Sequence, residues 1–339
     1  MDPAQAYASV LENLKLEFIS GGDLHGEARK FKMYARDIMA EPRCHLVIAS
    51  GDYLPQPEFD RNKAVSAIEP LIEILHEIRK PILLLGGNYD PFGAATVVAE
   101  RFGEPFFPIG AKRAEQNPPG NTKNYFGYDF VGCEGTNPIN GRFPGERSEE
   151  DLRNAFDSAM KELRHYDPHR TVFVTHAPPF ECGGRDELGK FGLPQPYWGR
   201  HVGSTAFRDI VYEYKPLLMV SGHIHEGVGA TVYQWKNHKD PVLADVRMHD
   251  TPNRILVVMD KNSETRQTVV VNHGTLEYWH YFRYRVAERG DVVLMEVCKR
   301  RLGGKDPLTK LVDKVSGKGT KTIYNQIFDP DKILPEILR

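Results

Sequence analysis

Five times along this sequence a short apolar run stops at a turn built from Asp, Asn or His. Leu16 to Ser20 leads into Asp23-Leu24-His25, His45 to Ala49 into Gly51-Asp52, and Pro81 to Leu85 into Gly87-Asn88-Tyr89-Asp90. Farther on, TVFVTH from Thr171 ends at His176, and Leu217 to Val220 ends at Gly222-His223-Ile224-His225. Apolar runs of this length read as strands, and PILLL in particular as a strand covered on both faces. Amphipathic helices follow several of the turns: Ala28 to Ala40 with Phe31, Tyr34, Ala35 and Ile38 in register, Ala64 to Ile78 with Val65, Ile68, Leu71, Ile72 and Leu75, and Ala94 to Arg101. Repetition of strand, Gly-containing turn and helix predicts a layered α/β fold.

Past the third unit, residues 106 to 133 have a shorter, β-like pattern, and a charged helix is expected from Glu149 to Leu163. A Gly- and Pro-rich loop from Pro178 to Gly203 precedes a helix at Ser204 to Tyr214, with Ser204 as its N-cap. Ile255 to Met259, Thr268 to Val271 and Val292 to Val297 read as strands of a further sheet in the second half. The final stretch is charged and weakly patterned, so the domain is expected to span 1–298, with 299–339 a tail or extension.

Bulk properties narrow the classes. The chain has 339 residues, with 44 Lys+Arg against 46 Asp+Glu and a formal charge of -2, which gives no electrostatic footprint of a dedicated nucleic-acid binder. A nucleic-acid partner is therefore unsupported, though open, and no feature sets an oligomeric state. Cys44, Cys133, Cys182 and Cys298 form no CxxC pair, which excludes a zinc ribbon or disulfide-dense scaffold and points to reduced structural thiols. No apolar run approaches the length of a membrane span, and the N-terminal stretch has no basic region followed by an apolar one. The expectation is a cytoplasmic protein with no membrane partner.

In open α/β sheets ligands bind at the carboxyl ends of strands, so the five turns can converge on one pocket. Carboxylate, amide and imidazole together make an oxygen and nitrogen donor set without thiolate, suited to Mn²⁺, Fe or Zn²⁺. The Asp-x-His and His-x-His spacings put both side chains of each pair on one side of an extended turn.

These residues resemble the calcineurin-like metallophosphoesterases, whose blocks D-x-H, G-D, G-N-H-[D/E], H and G-H-x-H recur here in the same order, over roughly residues 15 to 230 and on to about 275 at TVVVNHG. The resemblance implies a four-layer α/β/β/α sandwich of two mixed sheets flanked by helices. It implies two divalent metal ions (Mn, Fe or Zn), one held by Asp23, His25 and His225 and the other by Asn88, His176 and His223, with Asp52 bridging. It also implies hydrolysis of a phosphate-ester substrate by in-line attack of a metal-bridging hydroxide.

The pattern is broken at Tyr89, which stands where the family usually has the His that acts as general acid; Pro55 stands where a related subset has the Asp that orients it. Positioned general acids contribute about 10²–10⁴-fold. Their absence favours esters that leave easily, phosphodiesters or pyrophosphate-type bonds, and makes the Tyr89 phenol a candidate donor. The alternatives are a phosphomonoesterase or nuclease of the same family, or a non-catalytic scaffold that keeps the fold.

Other polar residues have plainer readings. Arg185 and Lys190 in CGGRDELGKFG offer a phosphate clamp, against a solvated loop as the simpler role. His201 reads as a residue of the loop before a helix, and His45 and His273 as structural.

Overall fold

Strand β1 (Leu14–Gly21) pairs in parallel with β2 (Leu46–Ala49), β2 with β3 (Ile82–Leu84), and β3 with β4 (Phe106–Pro108), with Phe18 opposite Leu46 and Val47 opposite Ile82. The chain is described by a computed structural model over residues 12–110, 122–138, 141–180, 203–225, 228–235, 241–247, 254–263, 266–274 and 280–301. Side chains alternate across each strand, so every strand feeds two cores. Ile19, Val47, Ala49, Ile82 and Leu84 point to one face, where helices α1 (Ala28–Met39), α2 (Arg61–His76) and α3 (Ala94–Phe102) lay their apolar stripes on them. Phe31, Tyr34 and Ile38 of α1 and Val65, Ile68 and Ile72 of α2 are fully or almost fully buried there. Asp60 starts α2 by accepting from the backbone of Asn62 and Lys63, which satisfies two of the helix's first amides.

A second sheet repeats the plan. Strands β5 (Thr122–Tyr125), β6 (Tyr128–Cys133), β7 (Thr171–Thr175) and β8 (Leu218–Ser221) are covered on the outside by α4 (Glu149–Met160) and α5 (Thr205–Tyr214). Leu152 and Phe156 of α4 and Phe207 and Ile210 of α5 pack on Val131, Phe173 and Met219. Ser204 caps α5, its hydroxyl accepting from the Phe207 amide, as the sequence predicts.

The two sheets meet face to face through Phe18, Leu46, Ile48, Leu83, Phe130, Val172, Val174, Leu218 and Val220, all buried. At the centre Phe18 stacks on Tyr284 (ring centroids 4.5 Å apart, planes at 10°) and meets Phe130 edge-on at 5.5 Å. The result is the four-layer sandwich of two mixed sheets expected from the sequence.

The second half departs from expectation. Instead of a further sheet, its strands extend the two already present. β9 (Gly229–Trp235), β10 (Pro241–Arg247) and β12 (Arg266–Asn272) join the second sheet, in the order β10-β9-β12-β8-β7-β6-β5, while β11 (Arg254–Asp260), β13 (His280–Arg289) and β14 (Val292–Arg301) join the first, as β11-β14-β13-β1-β2-β3-β4. β9, β10 and β13 are additional to the three strands anticipated there. β13 is hidden at the level of hydropathy because two of its outward positions are arginines. They lie buried in ion pairs, Arg285 with Glu17 (2.7 Å) and Glu296 (3.1 Å), and Arg283 with Glu41 (2.9 Å). β14 runs without interruption through Cys298 to Arg301.

Candidate metal centre

All five polar turns sit at carboxyl ends of parallel strands. β1 delivers Asp23 and His25, β2 Asp52, β3 Asn88, β7 His176, and β8 His223 and His225. Because the two sheets face each other, their strand ends converge along one edge of the sandwich. The turns are tied together through the backbone: the amides of Asp23 and His25 donate to the carbonyls of Gly51 (2.8 Å) and Asp52 (3.0 Å), and Gly222 donates to His176 (2.9 Å). Gly87 is required by this closeness, since a Cβ there would lie 2.1 Å from Asp52 Oδ1.

Four of the converging residues have left-handed backbone, Asp23 (φ 53°), His25 (45°), Asp52 (51°) and His223 (66°). That region disfavours side chains, and the rigid surroundings hold them in it.

Two clusters result. Donor atoms of Asp23, His25 and His225 lie within 4.8 Å of one another, as do those of Asp52, His176 and His223. In the first, His225 Nε2 is 3.3 Å from both Asp23 Oδ1 and His25 Nε2. In the second, His176 Nε2 lies 3.0 Å from Asn88 Oδ1 and 3.4 Å from Asp52 Oδ2. The same nitrogen is 3.9 Å from Asp23, so the clusters share a border. All seven residues anticipated as ligands are therefore together.

The residues behind them fix orientation. His176 Nδ1 is 2.7 Å from the Ser50 carbonyl, which accepts its proton and leaves Nε2 facing the cluster. Asp52 Oδ1 accepts from the Tyr89 amide at 2.8 Å, and Asp23 from the His223 amide at 3.2 Å.

Burial alone would raise the carboxyls of Asp23 and Asp52, yet His176 and the neighbouring imidazoles outweigh it and hold both below the ordinary carboxylate range. Reciprocally, burial opposes protonation of His176, but Asp52 and Asp23 push it up to about 10. Burial and the charge on His176 press His223 down to about 4. The charged partners described for these two buried acids are histidines. A pair of divalent cations matches both the donor chemistry and the buried negative charge.

Sequence reasoning passed over Asp90 and Ser50. Asp90 accepts from the amides of Gly87 (3.0 Å) and Tyr53 (3.2 Å), bracing the turns that carry Asn88 and Asp52, and burial lifts its carboxyl to about 7. Its place in the GNYD turn was the available signal; Ser50 acts through its carbonyl, which no side-chain pattern reveals. His273, read as structural, is buried 2.7 Å from Ser50 Oγ, and His45 accepts from the Glu17 amide at 3.0 Å. Tyr89 is half-buried, its ring edge-on to His25 at 4.8 Å and stacked on Phe143 at 5.4 Å. Pro55 is exposed. Arg185, Lys190, His201 and Cys182 lie outside the described residues, as does 302–339.

The chain is similar to known proteins in family and in fold. The family model described as calcineurin-like phosphoesterase matches residues 21–227, more than half of the chain. An uncharacterized protein of Methanocaldococcus jannaschii, MJ1162, is 24% identical over 252 residues, covering 71% of this chain and 94% of that protein. One crystal structure overlays with a TM-score of 0.55 at 12% identity, over 85% of this chain and 99% of its own. TT1561 of Thermus thermophilus overlays with a TM-score of 0.50 at 12% identity, over 79% of this chain and 93% of its own. The two overlays bear on the fold alone. No helix among the described residues is long and apolar enough to cross a membrane.

Proposed function

Because the chain belongs to the calcineurin-like phosphoesterase family, we propose that it hydrolyses phosphodiester or pyrophosphate-type bonds with two divalent ions, Mn, Fe or Zn, held by the seven strand-end residues. Asp23, His25 and His225 would hold one ion and Asn88, His176 and His223 the other, with Asp52, which lies with His176 and His223, shared between them. When bound, the ions supply an acidified water and neutralise charge on the phosphoryl group.

The protein's own residues set the rest. Ser50 holds His176 in the tautomer that presents Nε2, and the Tyr89 amide fixes Asp52 by donating to its Oδ1. The preference for diesters rests on one observation: a phenol, not an imidazole, occupies position 89, its ring held between His25 and Phe143. A phenol titrates near 10 and gives up its proton less readily at neutral pH than an imidazolium. Ester oxygens that leave without a proton are the substrates this favours, with the Tyr89 hydroxyl the candidate donor for others.

The test is Mn²⁺-dependent hydrolysis of bis-p-nitrophenyl phosphate against p-nitrophenyl phosphate. The diester should turn over faster, and Asp52→Asn should lose at least about 10²-fold of that rate, the scale of removing a group that acts in the transition state. Faster turnover of the monoester would instead favour a phosphomonoesterase. No metal-dependent turnover of either would leave a scaffold. A cytoplasmic setting is consistent with Cys44, Cys133 and Cys298, which are buried and free.

A further inference from the structure

The loop after β6 returns to the metal centre. The Gly135 amide donates to the Gly86 carbonyl (3.1 Å), Thr136 to Gly145 (3.1 Å), Arg147 to Thr136 (2.8 Å), and Gly145 to Asn88 (3.0 Å). At Gly145 the backbones touch so closely that a Cβ would lie 2.1 Å from the Gly87 carbonyl oxygen. This fastening fixes Phe143, two residues earlier, against the ring of Tyr89 at a tilt of only 22°. Tyr89 in turn meets His25, one of the cluster residues, edge-on at 4.8 Å.

Phe143 is half-buried between the exposed Arg142 and the half-buried Pro144, and it belongs to none of the hydrophobic clusters among the described residues. Its described ring contact is Tyr89. Phe143 is thus an aromatic side chain held in place outside the described cores and one ring away from the cluster residue His25.

We infer that Phe143 and Tyr89 form an aromatic platform that receives a planar aromatic group of the phosphate ester, an aryl or nucleobase ring, and so select the substrate class. This rests on the phosphoesterase reading above. A phosphoryl group at the clusters would extend its organic substituent past His25 onto the two rings. Ring faces pair with ring faces at offset or edge-on geometry and gain beyond simple area burial.

Binding of phosphonates, which are not hydrolysed, isolates this from catalysis. Calorimetry of the Mn²⁺-loaded protein should find phenylphosphonate roughly five-fold tighter than cyclohexylphosphonate, the scale of one aromatic pair. F143L, which keeps apolar volume without a ring face, should bring the ratio near one, while F143Y should retain it. Equal affinities in the wild type, or a preference that survives in F143L, would overturn the platform. If methylphosphonate also fails to bind the loaded protein, the phosphoesterase reading falls with it; if it binds and the phenyl compound gains nothing, only the platform falls. Thermal melts of both variants establish that each is folded.

Discussion

At the scale of single residues, position 89 is the informative one. Tyr89→His would place an imidazole beside His25 and Asp52, where a proton can be handed to a departing alkoxide. The expected outcome is a rise of about 10²-fold in kcat/KM on alkyl esters with little change on p-nitrophenyl esters, because positioned acids help in proportion to the basicity of the leaving oxygen. An equal change on both ester types would refute proton donation as the missing step. The seven clustered side chains were legible in the sequence because polar residues at strand ends are the ones a strand-end site uses. Phe143 was not legible. It sits in a loop with no periodicity, and its importance comes from the Gly145 to Asn88 hydrogen bond, which pairs segments far apart in the chain.

At the scale of elements, the two sheets are joined by more than apolar packing. Glu288 on β13 accepts from Tyr128 Oη on β6 (2.7 Å), Arg170 Nη2 just before β7 (2.8 Å) and Lys261 Nζ (3.0 Å). Burial would raise this carboxyl, but the three donors outweigh it and hold it down to about 2, against 4.5 for an ordinary Glu. A carboxyl depressed in the folded state adds stability that is fully present above its unfolded value and disappears as the pH falls through its folded one. Glu288→Gln should therefore cost about 1–2 kcal/mol at neutral pH, discounted for solvent access, and progressively less as the pH falls toward 2. Urea unfolding of both proteins at pH 7 and at pH 2–3 checks this; a constant gap across that range would rule the clamp out. The parallel strands and their helices were readable from apolar runs and helical stripes. β13 was not, because Arg283 and Arg285 look solvent-facing until Glu17, Glu41 and Glu296 are seen to neutralise them. The distribution of the later strands between two sheets was equally hidden, since periodicity reports which face a strand buries and not which neighbour it pairs with.

At the scale of the whole molecule, each candidate ion would be gripped from both sheets. Asp23 and His25 follow β1 and His225 follows β8; Asp52 follows β2, while His176 and His223 follow β7 and β8. Such ions cross-link the sandwich at one edge. Added Mn²⁺ should stabilise the fold by about 2.7 kcal/mol per bound ion at a metal concentration one hundred times Kd, read as a higher melting temperature that a chelator reverses. The rise should be smaller in Asp23→Asn, which removes a ligand of one of the two ions.

The left-handed backbone at Asp23, His25, Asp52 and His223 has a consequence for stability. Each position costs roughly 1–2 kcal/mol relative to a relaxed residue, and Gly would relieve it. His25→Gly should thus melt within a few degrees of the parent in chelator, and well below it in Mn²⁺. Aspartate and histidine at all four store backbone strain along the one edge where their donor atoms meet.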